Sequence, residues 1–198
     1  MSDNTARLIL LVGFAIVAPI GVYHRLRART DERLDRTQEG WLILVSLRLF
    51  ASVAMVGMLA YLVEPAWMAW GSFHLPAWAR WCSVGIGVVT SGLFIWTFRS
   101  LGHNLTDTVV TRRDASLVTR GPYRWVRHPF YLAFGMAVIA NTLVTVNWFL
   151  GMTSAVSFLV IVARTSIEEQ KLVERFGDDY LEYMKRTGRF LPRIGRAV

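Results

Sequence analysis

The stretch GPYRWVRHPFYLA, residues 121–133, concentrates side chains that could bind a polar ligand immediately before an apolar run. Proline disfavours helical geometry in the residue before it and is well tolerated in the first turn of a helix, so a helix is predicted to begin near Pro129. His128 then lies at the mouth of that helix, where backbone N–H groups and the helix dipole attract anions. The stretch therefore predicts a polar binding site where the chain enters a membrane.

A second group of candidates follows the last apolar run. Arg164 and Glu168 stand four residues apart, so on a helix that continues from this run they share one face. Such a pair is either a solvated ion pair or part of a pocket for a charged ligand. Its position opposite His128 and near Tyr131 favours the pocket. Glu169 points about 100° away from Glu168 and is the weaker candidate.

Other polar residues near the membrane leave two interpretations open. Tyr123 and Tyr131 flank the His-Pro step and either contact a ligand through the ring or hydroxyl, or anchor the chain in lipid. Arg48, seven residues into an apolar run, either snorkels to the membrane surface or lines a cavity. His103 and Asn104 lie in the sequence LGHN, where a loop turn is the default and a ligand contact is the alternative.

The motifs of several common enzyme classes are absent from the sequence. There is no Walker loop, no GxGxxG, no Ser-His-Asp arrangement and no HExxH, which removes the commonest routes to nucleotide, hydride or hydrolytic chemistry. Cys82 is the one cysteine, so an internal disulfide and a multi-thiolate zinc site are excluded. The four histidines show no metal-ligand spacing, and we therefore expect no metal.

The composition is that of a polytopic membrane protein. Of the 198 residues 54% are hydrophobic, and they form runs rather than amphipathic periods. The net charge of +8 is carried by short loops between these runs, so membrane orientation explains it better than nucleic-acid binding does. The first run lacks a small-residue cleavage site and is interpreted as a retained anchor.

The predicted fold is all-α, a helical bundle of about five membrane segments in one domain. The segments cover residues 8–23, 41–63, 78–98, 130–146 and 148–163. Arginines after the first segment place the N-terminus outside, and residues 99–129 and 164–198 on the cytoplasmic side. The last two segments, of about 16 residues each, reach only about 24 Å, less than the roughly 30 Å of a bilayer core. They form a tight hairpin around Asn147 that barely crosses the membrane or is partly re-entrant.

The polar tail after residue 164 is predicted to form two short helices on the membrane face. Gly177 ends the first, and Asp178 caps a second that runs through Lys185 or Arg186. No linker separates a second domain. From the residues alone, the site is a cytoplasm-facing pocket built from residues 117–131 and the face 164–168.

From about Leu101 to Pro192 the chain resembles isoprenylcysteine carboxyl methyltransferases and their prokaryotic relatives, together with phospholipid N-methyltransferases. The resemblance rests on LVTRGPYRWVRHPFY, then a hydrophobic hairpin, then EE followed by FGDDYLEYMKRTGRFLP. Any one piece is weak, but the set in this order and approximate spacing is specific.

The resemblance implies an integral membrane enzyme that binds S-adenosylmethionine in a C-terminal pocket covered by the tail. It implies that Glu168 binds the charged or hydroxylated end of this cofactor and that Arg164 binds and orients the methyl acceptor. It assigns the remaining cofactor contacts to the approach loop and the helix start, namely Ser116, Leu117, Val118, Tyr123, His128, Pro129 and Tyr131.

The acceptor is less well defined than the cofactor. Around Ala115 and Ser116 the chain lacks the His-Thr pair typical of eukaryotic prenylcysteine enzymes, and its N-terminal half has no recognisable match. The acceptor is therefore an isoprenylcysteine carboxylate-like group or another small lipidic substrate, reached from the bilayer. An ionised carboxylate attacks the methyl group without a general base, whereas a base matters more for a thiol or amine, and no side chain is identified for that role.

Two other functions are weighed against methyl transfer. Membrane sterol and steroid reductases share part of the tail pattern and bind NADPH, but Glu168 and Glu169 would repel a polyphosphate. A non-catalytic membrane accessory protein of the same fold is the third possibility. The expected partners are the lipid bilayer and a lipophilic acceptor, with no nucleic acid, and the expected location is the inner membrane if the source is bacterial.

Overall fold

The structure is a computed structural model that describes residues 1–28, 40–102 and 116–193. These residues form six α-helices. They are α1 (Asp3–Arg27), α2 (Trp41–Val63), α3 (Ala77–Leu101), α4 (Pro129–Thr145), α5 (Trp148–Phe176) and α6 (Asp178–Arg186). Two short 3-10 helices, Pro65–Gly71 and Gly121–Arg124, precede α3 and α4. The predicted all-α class is confirmed.

Four of these helices are long and apolar enough to cross a membrane: α1, α2, α3 and α5. Each carries large apolar side chains on its outer surface, among them Leu8, Leu42, Val88 and Leu159, all more than half exposed. A protein surface of this kind is covered by lipid rather than by water. The fourth predicted segment, residues 130–146, corresponds to α4, an apolar helix of 17 residues, shorter than a membrane span usually requires.

The bundle is arranged around α3, α4 and α5. Helix α3 packs against α1 and α4, while α5 packs against α2, α4 and α6. A buried apolar cluster lies at the end of the bundle that carries the chain's N-terminus. Its members are Ala6, Leu10, Tyr61, Met68, Val144 and Leu150.

Hydrogen bonds from polar side chains stabilise the turn between α4 and α5 at this same end. Arg80, buried near the start of α3, donates to the carbonyl oxygen of Val144 through Nε at 3.2 Å and Nη2 at 2.9 Å. Asn147 caps α5 by accepting from the backbone N–H of Leu150 at 3.0 Å, and its amide nitrogen donates to the carbonyl oxygen of Met68 at 2.7 Å. Buried backbone carbonyls at the turn are thereby satisfied, which the apolar runs alone do not predict.

The predicted segment limits are close to the helices, with one informative difference. Residues 41–63 coincide with α2, and the predicted turn at Asn147 separates α4 from α5. The sequence predicts that the last membrane segment ends near residue 163, that its helix continues through Arg164 and Glu168, and that a short tail helix ends at Gly177. In the structure these are one helix, α5, which continues unbroken to Phe176. At 1.5 Å per residue its 29 residues extend about 43 Å, so it carries its polar end beyond the apolar part of the bundle.

Helix α5 ends at the predicted residue, but the N-cap of α6 is not the residue that was predicted. Gly177, with φ of 54°, ends α5 as expected. The same glycine is also the N-cap of α6, so Asp178 is the first helical residue rather than the cap. Asp178 and Asp179 still lie in the first turn, where their negative charge stabilises the helix dipole.

Candidate active site

The approach loop returns to the end of α3 through a close contact at Gly121. This residue has φ of 63°, and a Cβ atom built on it would lie 2.1 Å from Oγ of Ser100. A side chain is therefore excluded both by conformation and by space. The glycine allows residues 121–128 to pack against α3 and deliver His128 to the start of α4.

His128 is the N-cap of α4 and Pro129 is its first residue, as the His-Pro step predicts. Both residues are buried. The carbonyl oxygen of His128 accepts from the N–H of Leu132 at 3.1 Å, the first bond of the helix. The backbone of His128 is thus fixed at one end of the bundle, opposite the turn at Asn147.

Helix α5 brings a carboxylate to this helix start. The hydroxyl of Tyr131 donates to Oε2 of Glu168 at 2.5 Å, and Nδ1 of His128 lies 4.0 Å from Oε1 of the same carboxylate. The rings of His128 and Tyr131 are stacked, with centroids 5.3 Å apart and planes 4° from parallel. Arg164, one turn earlier on α5, lies next to the Tyr131 hydroxyl. Four predicted site residues therefore meet at one place.

The residues predicted from the approach loop differ in exposure. Ser116 is exposed, whereas Leu117 and Val118 are half-buried. The carbonyl oxygen of Tyr123 accepts from the hydroxyl of Tyr183 at 2.6 Å. Burial, and then the negative charge of Glu168, raises the pKa of the Tyr123 hydroxyl above its usual value. This hydroxyl stays protonated at neutral pH and can donate a hydrogen bond.

Glu169, the weaker candidate from the sequence, is the more deeply buried of the two neighbouring glutamates. It is only 5% exposed, and its Oε1 accepts from Nε of Arg127 at 2.8 Å and lies 3.2 Å from Nε2 of His128. Its Oε2 accepts from Nε of Arg189 at 3.0 Å and also from Nη2 of that residue. Its partners Arg127 and Arg189 lie 42 and 20 residues away in the sequence, so no local pattern identifies them. The one available indication is that a glutamate without a charged partner is costly to bury, so a buried Glu169 requires such partners.

The tail after α6 is joined to the approach loop by backbone hydrogen bonds. The N–H of Arg127 donates to the carbonyl oxygen of Gly188 at 2.8 Å, and the N–H of His128 donates to that of Arg189 at 3.1 Å. The N–H of Gly188 donates back to the carbonyl oxygen of Trp125 at 3.2 Å. The ring of Phe190 then lies 5.9 Å from that of His128. The tail thus forms one wall of the site.

The junction between the tail and the approach loop requires a glycine at position 188. A Cβ atom at this position would lie 1.7 Å from the backbone carbonyl oxygen of Leu191, so Gly188→Ala forces the tail backbone to move. We expect a loss of about 2 kcal/mol of stability, or roughly 4–8 °C in melting temperature for a chain of this length, measured by thermal unfolding in detergent. Gly92→Ala on α3 is the matched control, because a Cβ there meets no atom within 4 Å. Equal melting temperatures for the two variants would contradict the requirement.

An open cavity of about 470 Å³ lies on the outer side of the tail junction. Four cationic side chains line it, those of Arg127, Lys185, Arg189 and Arg193. No group of three His, Cys, Asp or Glu side chains among residues 1–28, 40–102 and 116–193 is arranged to hold a metal ion.

The remaining predicted candidates do not join the site within the described ranges. Arg48 is exposed on α2, which agrees with snorkelling rather than with a cavity wall. His103 and Asn104 lie outside the residues that the structure describes. The predicted site is therefore reduced to the approach loop, the start of α4, the face of α5 and the tail.

Comparison with known proteins identifies relatives for this arrangement. Residues 83–174 match the model of the isoprenylcysteine carboxyl methyltransferase (ICMT) family. Methanethiol S-methyltransferase of Pseudomonas deceptionensis is 27% identical over 205 residues, covering 96% of this chain and 75% of that enzyme. Protein-S-isoprenylcysteine O-methyltransferase of Saccharomyces cerevisiae is 33% identical over 100 residues, and that of Homo sapiens 38% over 96 residues. Each of the latter two matches covers 47% of this chain, and 40% and 34% of the respective enzyme.

The fold has a solved counterpart in the eukaryotic intramembrane Ras methyltransferase ICMT. The TM-score is 0.56 at 18% identity, and the match covers 93% of this chain and 63% of that one. The likeness shows a common fold. Since the chain spans less than half of the yeast and human enzymes, the parts that lie beyond the match in those proteins have no equivalent in this comparison.

Proposed function

We propose that this chain is a member of the isoprenylcysteine carboxyl methyltransferase family, an integral membrane methyltransferase that uses S-adenosylmethionine and acts on a lipophilic or small acceptor. The observation that supports the proposal most is the meeting of Tyr131, Glu168 and His128 beside Arg164 at one end of the bundle. The family match includes all four of these residues.

The residues present fit the cofactor in charge and shape. Glu168, whose side chain is 25% exposed, offers a carboxylate to the ammonium or the hydroxyl groups of S-adenosylmethionine. The stacked rings of His128 and Tyr131 present aromatic surface beside this carboxylate, which suits a cationic ligand. The half-buried Leu117 and Val118 offer apolar contact to its adenine ring. When bound, S-adenosylmethionine supplies a methyl group activated by a sulfonium centre.

Arg164 is assigned to the acceptor. On α5 it lies one turn from Glu168, toward the apolar part of the bundle, so it meets a substrate that arrives from the bilayer. Its guanidinium pairs with a carboxylate or a thiolate and orients it, and orientation alone lowers the barrier for an acceptor that is already ionised. Tyr131 links the two functions, because its hydroxyl contacts Glu168 and lies next to Arg164.

We place the site on the cytoplasmic side of the membrane. Arginines cluster at the ends of α1 and α3 that lie near the site and in the approach loop, and an arginine excess favours the cytoplasm. The N-terminus is then outside, and α4 and α5 form a hairpin of which α4 crosses the bilayer only in part. The acceptor enters from the lipid and the cofactor from the cytoplasm. In this proposal the chain is one domain.

The function is tested by incubating the protein, purified in detergent, with labelled S-adenosylmethionine and one acceptor from each of three classes. These acceptors are a prenylcysteine analogue, methanethiol and a phospholipid vesicle. We expect one class to become labelled, and the identity of that class names the acceptor. If no acceptor is labelled and calorimetry detects no binding of S-adenosylmethionine, the proposal is wrong. If calorimetry instead detects binding of NADPH, the result supports a reductase.

A further inference from the structure

Glu168 and Glu169 are consecutive on α5 but face different partners. The Glu168 carboxylate contacts the Tyr131 hydroxyl and lies near Nδ1 of His128. The Glu169 carboxylate contacts Arg127, Nε2 of His128 and Arg189. Because neighbouring residues on a helix point about 100° apart, the two carboxylates reach opposite edges of the same imidazole. His128 is therefore the group that both glutamates share.

The contact with Glu169 determines which nitrogen of His128 carries a proton. An ionised carboxylate only accepts hydrogen bonds, so the bond at 3.2 Å requires a proton on Nε2. A neutral imidazole has one N–H, and its Nδ1 is then an acceptor that faces the Glu168 side of the site. Glu169 thereby sets both the orientation of the ring and the hydrogen-bonding character of its free edge.

Glu169 also joins the tail to the rest of the site through charge. Its two oxygens are divided between two segments, since Oε1 faces Arg127 and His128 of the approach loop and Oε2 faces Arg189 of the tail. Arg127 strengthens the same junction by donating from Nη1 to the carbonyl oxygen of Thr187 at 2.5 Å. At 5% exposure this carboxylate is nearly removed from water, where charge-assisted hydrogen bonds are strongest.

We propose that Glu169 is a positioning residue that holds the tail segment 187–190 closed over the site and presents Nδ1 of His128 toward Glu168. Glu169 does not touch the ligand, so its effect on binding passes through His128 and the tail. The effect on cofactor affinity rests on the function proposed above, whereas the closure of the tail does not.

The test compares Glu169→Gln with Glu169→Asp. The glutamine keeps the shape but loses the charge and carries an NH2 donor in place of one oxygen, so Arg127 or Arg189 loses its acceptor, whereas aspartate keeps the charge on a shorter side chain. Glu174→Gln is the matched control, because Glu174 lies on the same helix and pairs with Lys171 at an exposed position. The two measurements are the rate of trypsin cleavage after Arg189 in the folded protein and the affinity for S-adenosylmethionine by calorimetry.

For Glu169→Gln we expect cleavage after Arg189 to be about tenfold faster and the affinity for S-adenosylmethionine to be about tenfold weaker. Glu169→Asp should recover part of both effects, and Glu174→Gln should match the original protein. If Glu169→Gln leaves both the cleavage rate and the affinity unchanged, the proposal is overturned. If the unaltered protein does not bind S-adenosylmethionine, the proposed function fails, and faster cleavage in Glu169→Gln then still supports closure of the tail.

A third measurement is made on the unaltered protein, and a variant serves only to assign the signal. In nitrogen-15 spectra of the protein at a pH where His128 is neutral, we expect the ring to carry its proton on Nε2. The signal can be assigned by loss in His128→Gln, since the chain contains four histidines. A proton on Nδ1 instead would overturn the role of Glu169 in setting the tautomer.

Discussion

Replacement of Glu168 by alanine should weaken the binding of S-adenosylmethionine by at least about 100-fold, because a charged ligand loses its carboxylate partner in a partly desolvated site. The substitution also leaves the Tyr131 hydroxyl without the acceptor that now lies 2.5 Å away. The measurement is calorimetry in detergent, with the melting temperature recorded beside it. Affinity equal to that of the original protein would remove Glu168 from the site.

Two further variants separate the role of the carboxylate from general damage. Glu174→Ala removes a glutamate from the exposed surface of the same helix and should leave affinity unchanged. Tyr131→Phe removes only the hydroxyl that holds Glu168, and we expect a loss of about tenfold, the size of one hydrogen bond to a charged group. This order of effects distinguishes direct binding by Glu168 from indirect support.

Replacement of Arg164 by alanine should affect the acceptor rather than the cofactor. We expect kcat/KM for the acceptor to fall on the order of 100-fold, because truncation of one partner of a buried charge pair leaves the other partner unpaired. Affinity for S-adenosylmethionine should fall by no more than about tenfold, since that ligand is assigned to Glu168, which shares the Tyr131 hydroxyl with Arg164. Steady-state kinetics with the acceptor identified by labelling, together with calorimetry, give both numbers.

Arg164→Lys and Arg175→Ala serve as comparisons. Lysine keeps the charge but not the fork of N–H donors, so it should restore only part of the activity. Arg175 lies three turns further along α5 at an exposed position, and its removal should have little effect on either ligand. If Arg164→Ala instead loses cofactor affinity and acceptor turnover equally, Arg164 belongs to the cofactor pocket and its assignment to the acceptor is wrong.

Features that depend on a few neighbouring residues could be predicted from the sequence. The start of α4 at Pro129 follows from the geometry of the His-Pro step, and the end of α5 follows from Gly177. Helix α2 coincides with its predicted segment because an apolar run of 23 residues has no alternative in a membrane. The continuity of α5 from the membrane segment to Phe176 was predicted only in part, because the change from apolar to polar residues after 163 ends the lipid-facing part but not the helix.

Features that join distant residues could not be predicted in this way. Arg80 and Asn147 both lie in or beside apolar runs, and only packing shows that they satisfy carbonyl oxygens at the turn between α4 and α5. Glu169 was ranked below Glu168 because helix geometry separates the two faces but does not reveal what lies opposite each one. The structure places Arg127 and Arg189 opposite Glu169, which makes it the link between loop and tail.

The stretch 121–133 illustrates the division between sequence and structure. By itself the sequence determined a membrane bundle, a helix start at Pro129 and a set of polar residues at its mouth, because local sterics and runs of apolar residues act over a few positions. Only the tertiary structure decided that Nδ1 of His128 faces Glu168 while Nε2 faces Glu169, and that the tail completes the wall. Those choices depend on hydrogen bonds between residues far apart in the sequence, such as Arg127 with Glu169 and His128 with Arg189, whose partners are selected by packing rather than by order along the chain.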